Sequence, residues 1–593
     1  MPDSPAPRSC AADLPPVVFH SQGRPPKRAM PCSTRSCADA SPAADRVAVY
    51  SSRRRRRVPA IHARYRPAAN PDIALGEGAS KPRRGITMHG FGGILAIVML
   101  LGASALPASA ETYDLVLRGG RVLDPESGTD AVLNLGIRGD RIAAIRAEPL
   151  SGREEIDVTG HVVAPGFIDL HSHSPTPMGQ ALQVRDGVTT QLELEAGAFP
   201  VERYGSEIQD AALENFGASV GYGSVRVEVM MGVRRPHLLT PTVELMGLRG
   251  YWTTFRSLFG EVRDVFEKPA SEAQLARMRG LLEEGLDAGG LGIGLPLDYF
   301  SEAATTAEVR MVFEVAASRR APIFMHLRRG VNGDPAGLLE ALSLVRETGA
   351  PLHVCHIQHN AMRNTDRFLA EIRKARREGF DVTTEMFPYN AGSATLSSAV
   401  FGRDWQSIFD ISYEDVQWSA TGERFDREMW EEYREKYPEG QVIHHYVKEE
   451  WTRRALVEPG VMVVTDILPI ESPDIKSAPH GGSFARVLAR YVREEALLDL
   501  GTAVAKMTLL PARRLEGVAP AFARKGRLRV GADADVTVFD PDRVLDRTTY
   551  ADPFEPSEGI PYVIVNGVVV VRDGEIAEGA SPGRRLLVGA AGE

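Results

Sequence analysis

Residues 162–171 are almost entirely apolar up to the point where Asp169, His171 and His173 follow at intervals of two. On an extended strand that spacing puts all three side chains on one face. Two neutral imidazoles placed this way can share one cation, and zinc suits them well. Three more polar residues end later apolar runs: His326 after residues 322–325, His356 after 352–355, and Asp466 after 461–465. One such histidine is more often a satisfied core residue, but three strand endings that follow a strand-borne His-x-His point to a shared metal site. Asp466 then has a chemical use. A cation acidifies its bound water, and a neighbouring carboxylate can take the remaining proton and pass it to a leaving amine. The implied reaction is hydrolysis at a carbonyl or phosphoryl centre, with metal-bound hydroxide as nucleophile and Asp466 as base. By strand parity His353 faces away and is structural, His359 is left open, and His444 and His445 are expected in solvent.

These residues need a scaffold that brings strand ends together. Strand-like runs occur at 162–171, 189–195, 216–222, 290–295, 323–326, 352–356, 381–386 and 461–466, and helical periodicity separates most of them, as at 307–319, 336–348 and 365–378. This pattern predicts an α/β chain folded as a (β/α)8 TIM barrel over 165–520, with the site at the C-terminal rim of the strands. The stretch from 386 to 461 is too long for one helix and its loops. It predicts an insertion at about 395–455, rich in aromatic and charged residues, above that rim. Short alternating strands in 111–164 return in 521–593, where Asn566-Gly567 marks a hairpin. Each set is too small to bury its own face, so the two ends are expected to form one small β-sandwich domain.

The formal net charge of −9 over 593 residues conceals two unlike parts. Residues 1–110 hold 16 Lys+Arg against 6 Asp+Glu, which leaves 53 against 72 and a net charge of −19 for the rest. Such an acidic remainder gives no electrostatic reason to expect a nucleic-acid partner. Residues 1–87 read as a disordered basic leader or a start-site artefact, with Met88 as a candidate true start. Residues 88–110 follow Arg83-Arg84 with an apolar run at 94–101 and then Ala108-Ser109-Ala110, the order of a secretory signal peptide. Export to the periplasm or medium is the expectation, by a Sec or a twin-arginine route, and the run is too short for stable membrane insertion. Removal of residues 1–110 takes Cys10, Cys32 and Cys37 and leaves Cys355 alone, so no intramolecular disulfide is expected in the mature chain.

Taken as an ordered set, the segment from Val163 through His171-Ser172-His173 resembles the first-strand motif of the amidohydrolase superfamily. Residues 186–190 (DGVTT), 325–328 (MHLR), Cys355-His356, 388–393 (PYNAGS) and 483–488 (SFARVL) are similar to its D-aminoacylase branch, the N-acyl-D-amino-acid deacylases. The resemblance covers roughly residues 113–575. It implies a barrel carrying one or two Zn2+ ions, other divalent metals being possible, and a small-molecule acylated amino acid as substrate. His171, His173 and Asp466 would hold the more exposed metal, and His326 and His356 the deeper one. The family completes the deep site with a cysteine where this chain has Ala196, which cannot bind a cation. Glu195 is the favoured replacement, able to bridge two metals, with Glu193 second, since a buried carboxylate without a partner is costly. A family lysine two residues after the metal histidine is here Gln358. Arg486, Tyr389 and Ser393 remain as candidate binders of the substrate carboxylate and amide.

The expected activity is removal of the acyl group from N-acyl-D-amino acids, with N-acyl-D-glutamate a particular candidate. The enzymatic rival is a cyclic-amide hydrolase of the hydantoinase or dihydroorotase type. Such enzymes commonly bridge two metals through a carbamylated lysine on the fourth strand, and residues 290–299 contain no lysine. A secreted binding protein on a barrel without activity is the other alternative.

Overall fold

A computed structural model describes residues 112–240, 244–245 and 264–589. The basic leader and the signal-like segment fall outside the described residues.

Eight parallel strands form the barrel: β1 (Phe167–Asp169), β2 (Val188–Ala198), β3 (Asn215–Gly221), β4 (Ile293–Pro296), β5 (Ile323–His326), β6 (Leu352–Val354), β7 (Val382–Met386) and β8 (Val461–Val463). Each pairs with its neighbour in chain order. The ring closes just beyond β1 and β8, where the Asp466 N–H donates to His171 O at 2.8 Å and the His173 N–H to Ile467 O at 2.9 Å. Asp169 clamps the same seam. Its carboxylate accepts from Gln183 Nε2, Thr465 Oγ1 and the N–H groups of His171 and Thr465. Burial nevertheless pushes its pKa up to about 6.

The run read as one strand over 162–171 is two. Val162–Pro165 pairs antiparallel with Val536–Phe539 in the small sheet, and Phe167–Asp169 opens the barrel. Gly166 lies at the crossing, where an added Cβ would come within 2.2 Å of Thr189 Oγ1, so a side chain there would force the two sheets apart. The small domain is a nine-stranded mixed sheet drawn from both chain ends. Leu117, Leu135, Val163, Val536 and Ile564 share its core, so neither end could bury its apolar face alone. The hairpin at Asn566-Gly567 is present, both residues at positive φ. The chain then leaves this sheet. Residues Arg584 to Leu586 run beside Phe216 at the start of β3, exchanging two backbone hydrogen bonds with it.

Helices cover the barrel where their caps and apolar faces dictate. Thr306–Arg319 begins at Thr305, whose hydroxyl accepts from the Glu308 N–H, and Ala336–Thr348 ends at the left-handed Gly349. Between β7 and β8 the chain builds a three-stranded antiparallel sheet of Gly392–Thr395, Val416–Trp418 and Gln441–His444. Its core is aromatic, with Phe401, Trp405, Trp418, Trp430 and Tyr446 packed together. His444, expected in solvent, is buried in this cluster, its ring stacked on Tyr446 at 5.1 Å. Burial drives its pKa down to about 3, so it is a neutral packing residue. His445 is half-buried and bonded to Gln417. Among the described residues no helix is long and apolar enough to cross a membrane.

Candidate metal centre

The C-terminal ends of β1, β2, β5, β6 and β8 place His171, His173, Glu195, His326, His356 and Asp466 in one cluster. His171 Nε2 and His173 Nε2 face each other at 3.1 Å. Glu195 Oε2 lies 3.2 and 3.4 Å from them, and Asp466 Oδ1 lies 3.3 Å from both. The other oxygen of Glu195 faces the second pair, 2.9 Å from His326 Nδ1 and 3.0 Å from His356 Nε2. Nitrogen and oxygen ligands about 2.1 Å from a tetrahedral cation lie about 3.4 Å from one another. The first four groups already match that spacing, and His326, His356 and Glu195 form a second convergent set. The donor chemistry therefore fits one or two divalent cations with Glu195 between them.

Local backbone geometry aims these side chains. Asp466 (φ 56°) and His356 (φ 30°) both occupy the left-handed region, which turns them across the rim instead of along the strand. β2 carries a register break between Glu193 and Ala198. Bulges re-aim side chains. Glu193 and Glu195 would share one face of a regular strand, yet here they have different neighbours. Glu193 sits behind His173, with Oε2 2.6 Å from His173 Nδ1 and 2.7 Å from His237 Nε2. Glu385 backs His171 in the same way, its Oε1 2.5 Å from His171 Nδ1 and its Oε2 2.9 Å from His353 Nε2. His353 in turn reaches Thr383 Oγ1 at 2.8 Å. Such carboxylate backing fixes ring orientation and leaves the opposite nitrogen for a cation.

Charge in the cluster is balanced internally. Burial disfavours an ionised Glu195, but His171 and His326 hold its carboxyl well below the usual range. Asp466 is also held down against burial, by His171 and His173. Burial opposes protonation of His171, yet Asp466, Glu195 and Glu385 raise its pKa well above the ordinary value. His326 is lowered to about 4 by burial and by His356. Cys355 lies buried beside His171 and Glu385, its thiol pushed up by burial and therefore unreactive.

The expected substrate-side residues lie outside this cluster. Arg486 donates to Pro388 O and pairs with Asp546 at 3.2 Å, its guanidinium 4.8 Å above the Tyr389 ring. The Tyr389 hydroxyl also bonds to Asp546. Gln358 donates to Phe387 O, and its buried Oε1 has no partner. Ser393 bonds within the insertion sheet. His359, left open by the sequence, is buried against Phe387 and bonded to Tyr446. Sequence reasoning missed Asp298, Arg329 and Arg403. Arg403 holds Asp298 through two hydrogen bonds of 3.0 and 2.8 Å. Arg329 shares the same Asp298, its Nη1 3.6 Å from the carboxylate, and has Nη2 3.2 Å from His326 Nε2, Phe409 and Tyr446 under its plane and no partner for Nε. The usable signal was positional, because Asp298 and Arg329 each follow the end of a barrel strand by two or three residues.

Comparison with known proteins agrees with this geometry. Residues 430–571 match the model of the amidohydrolase family. The chain is 33% identical over 489 residues to an N-acyl-D-glutamate deacylase of Alcaligenes xylosoxydans xylosoxydans, covering 78% of this chain and 94% of that one. It is 30% identical over 484 residues to a D-aminoacylase of the same organism, covering 78% and 95%. The crystal structure of the N-acyl-D-glutamate deacylase of Bordetella bronchiseptica, complexed with zinc and a phosphonate inhibitor, superposes with a TM-score of 0.65 at 27% identity, covering 81% of this chain and 100% of that one. A barrel that gathers four histidines and two carboxylates at its C-terminal rim, with relatives matched over nearly their whole length, places this chain in the amidohydrolase family, in the branch that includes the N-acyl-D-amino-acid deacylases.

Proposed function

We propose that this protein is a metal-dependent hydrolase that removes the acyl group from N-acyl-D-amino acids, with N-acyl-D-glutamate among its substrates. The observation that carries the reading is the carboxylate of Glu195 set between two histidine pairs, with Asp466 on the more open side. His171, His173, Glu195 and Asp466 would hold one divalent cation, and His326, His356 and Glu195 a second, with zinc favoured. Such a cation supplies Lewis acidity, polarising the scissile carbonyl and acidifying a water molecule.

The remaining chemistry falls to the chain. Asp466, ionised and still about one-fifth exposed, accepts a proton at its carboxylate as water adds to the carbonyl carbon, then delivers it to the leaving amine nitrogen. Glu193 and Glu385 hold the two imidazoles of the His-x-His in place from behind. Arg329 joins Arg486 as a candidate for the substrate carboxylate: each faces an aspartate, Arg486 Asp546 at 3.2 Å and Arg329 Asp298 at 3.6 Å, but Arg329 keeps an unpaired Nε–H and lies against the metal-site residue His326 through Nη2. The insertion contributes Tyr446 and Phe409 to the wall around that guanidinium, a suitable surface for an acyl chain or side chain. The proposal includes export, resting on the charged, apolar and small-residue order of residues 83–110, and N-terminal sequencing of the mature protein tests it.

The decisive variant is Asp466→Asn. Metal content close to wild type with a collapse of turnover supports the proton-transfer role, and full turnover with metal bound removes it.

A further inference from the structure

At the opposite end of the barrel the N-terminal mouths of β5 to β8 enclose a cavity of about 690 Å³. Pro322, Pro351, Asp381 and Gly460, each immediately before its strand, form the rim, and Thr383 and Met462 lie further in. Four arginines line it: Arg320, Arg376, Arg513 and Arg514. Asp381 is the one carboxylate among the lining residues, and both its oxygens accept from Arg514 Nη1 at 2.8 Å.

That leaves donors without acceptors. Arg514 is buried, and its Nε and Nη2 have no partner. Arg376 gives Nε to Val382 O at 2.6 Å and Nη1 to Pro459 O, but its buried Nη2 is also unpaired. An unmet buried donor costs about 1–3 kcal/mol, more when it carries charge. Burial accordingly lowers both guanidinium pKa values from the ordinary arginine range. Arg320 and Arg513 are exposed at the mouth, Arg513 within 4.0 Å of Glu126.

We propose that this cavity is a binding site for a small dianion, either a tetrahedral oxyanion such as a phosphoryl group or a short dicarboxylate, separate from the metal centre. Three unpaired guanidinium nitrogens from two arginines, with two further arginines at the entrance, suit two or more anionic oxygens, and planar guanidinium forks match both ligand shapes. Thr383, on the cavity wall, begins the chain through His353 and Glu385 to His171, so one buried polar column separates the two sites.

Calorimetric titration of the zinc-loaded protein with sulfate and, separately, succinate at fixed ionic strength tests the proposal. Saturable binding of either anion is expected, weakened about tenfold or more in Arg514→Gln and less in Arg513→Gln, whose exposed side chain can change without disturbing the fold. Sulfate binding alone assigns the cavity to tetrahedral oxyanions, and succinate binding alone to dicarboxylates. If neither anion binds, or if binding is unchanged in an Arg376→Gln/Arg513→Gln double variant, the site does not exist as described. The same holds if crystals soaked in sulfate show the ion at the metal centre only.

Discussion

At their C-terminal ends β1, β2, β5 and β6 carry His171, Glu195, His326 and His356 into one cluster, while at their N-terminal ends β5 to β8 open on Arg376, Arg514 and Asp381. Both mouths bury charge, and they handle it differently. At the C-terminal mouth four carboxylates, Glu193, Glu195, Glu385 and Asp466, are matched against histidines whose protons can be exchanged for a cation. At the N-terminal mouth fixed guanidinium charge outnumbers carboxylate. The first arrangement is self-balanced until a metal displaces protons, and the second is incomplete until an anion enters. The contrast explains why the net charge of −9 says little about either site.

The strongest way to break this contrast is to remove the carboxylate shared by both histidine pairs. Glu195→Ala is expected to lose bound metal and to cut kcat/KM on the order of 1000-fold or more, because both histidine pairs lose the one carboxylate that faces them. Asp381→Ala at the other mouth should leave both unchanged. Metal analysis and steady-state kinetics on the pair read the difference directly. Next in size, Asp466→Asn should lower kcat by about 100- to 10,000-fold while retaining metal, since an amide cannot accept the proton. Smaller again, Glu385→Gln and His237→Gln should weaken metal affinity about 10- to 100-fold, His237→Gln at the low end because Glu193 keeps its bond to His173. Competition with a chromophoric chelator measures this.

A pH titration sharpens the same comparison with the smallest effect. His171 and His173 have raised pKa values in the metal-free site, so metal uptake must expel their protons. Apparent metal affinity should therefore fall as the pH is lowered through the histidine range, with proton release seen on zinc addition in weakly buffered solution. Sulfate binding at the arginine mouth should not change over that range, because neither sulfate nor the guanidinium groups titrate there.

Much of the histidine and carboxylate cluster is readable in the sequence because its logic is one-dimensional. A His-x-His at strand period and polar residues closing apolar runs need only the alternation of a strand and the rule that barrel strands end at one rim. Glu193 and Glu195 could not be separated by parity, because the register break in β2 that assigns them different neighbours is set by pairing with β3. His444 was misjudged for a similar reason. A polar-looking stretch of the insertion becomes buried only when Phe401, Phe409 and Tyr446 gather around it. Arg486 looked available because its partner Asp546 lies 60 residues away on another segment. The chain tail beside Phe216 likewise depends on a contact no local pattern announces.

Turnover of the zinc-reconstituted protein against a panel of N-acyl-D-amino acids, their L-enantiomers and a cyclic hydantoin separates deacylation from its rivals. Hydrolysis of the D-series is expected, abolished by chelation and restored by zinc, with little or none of the L-series or the cyclic amide. A protein that holds zinc at this cluster yet hydrolyses only the cyclic amide, or none of the panel, would contradict that expectation.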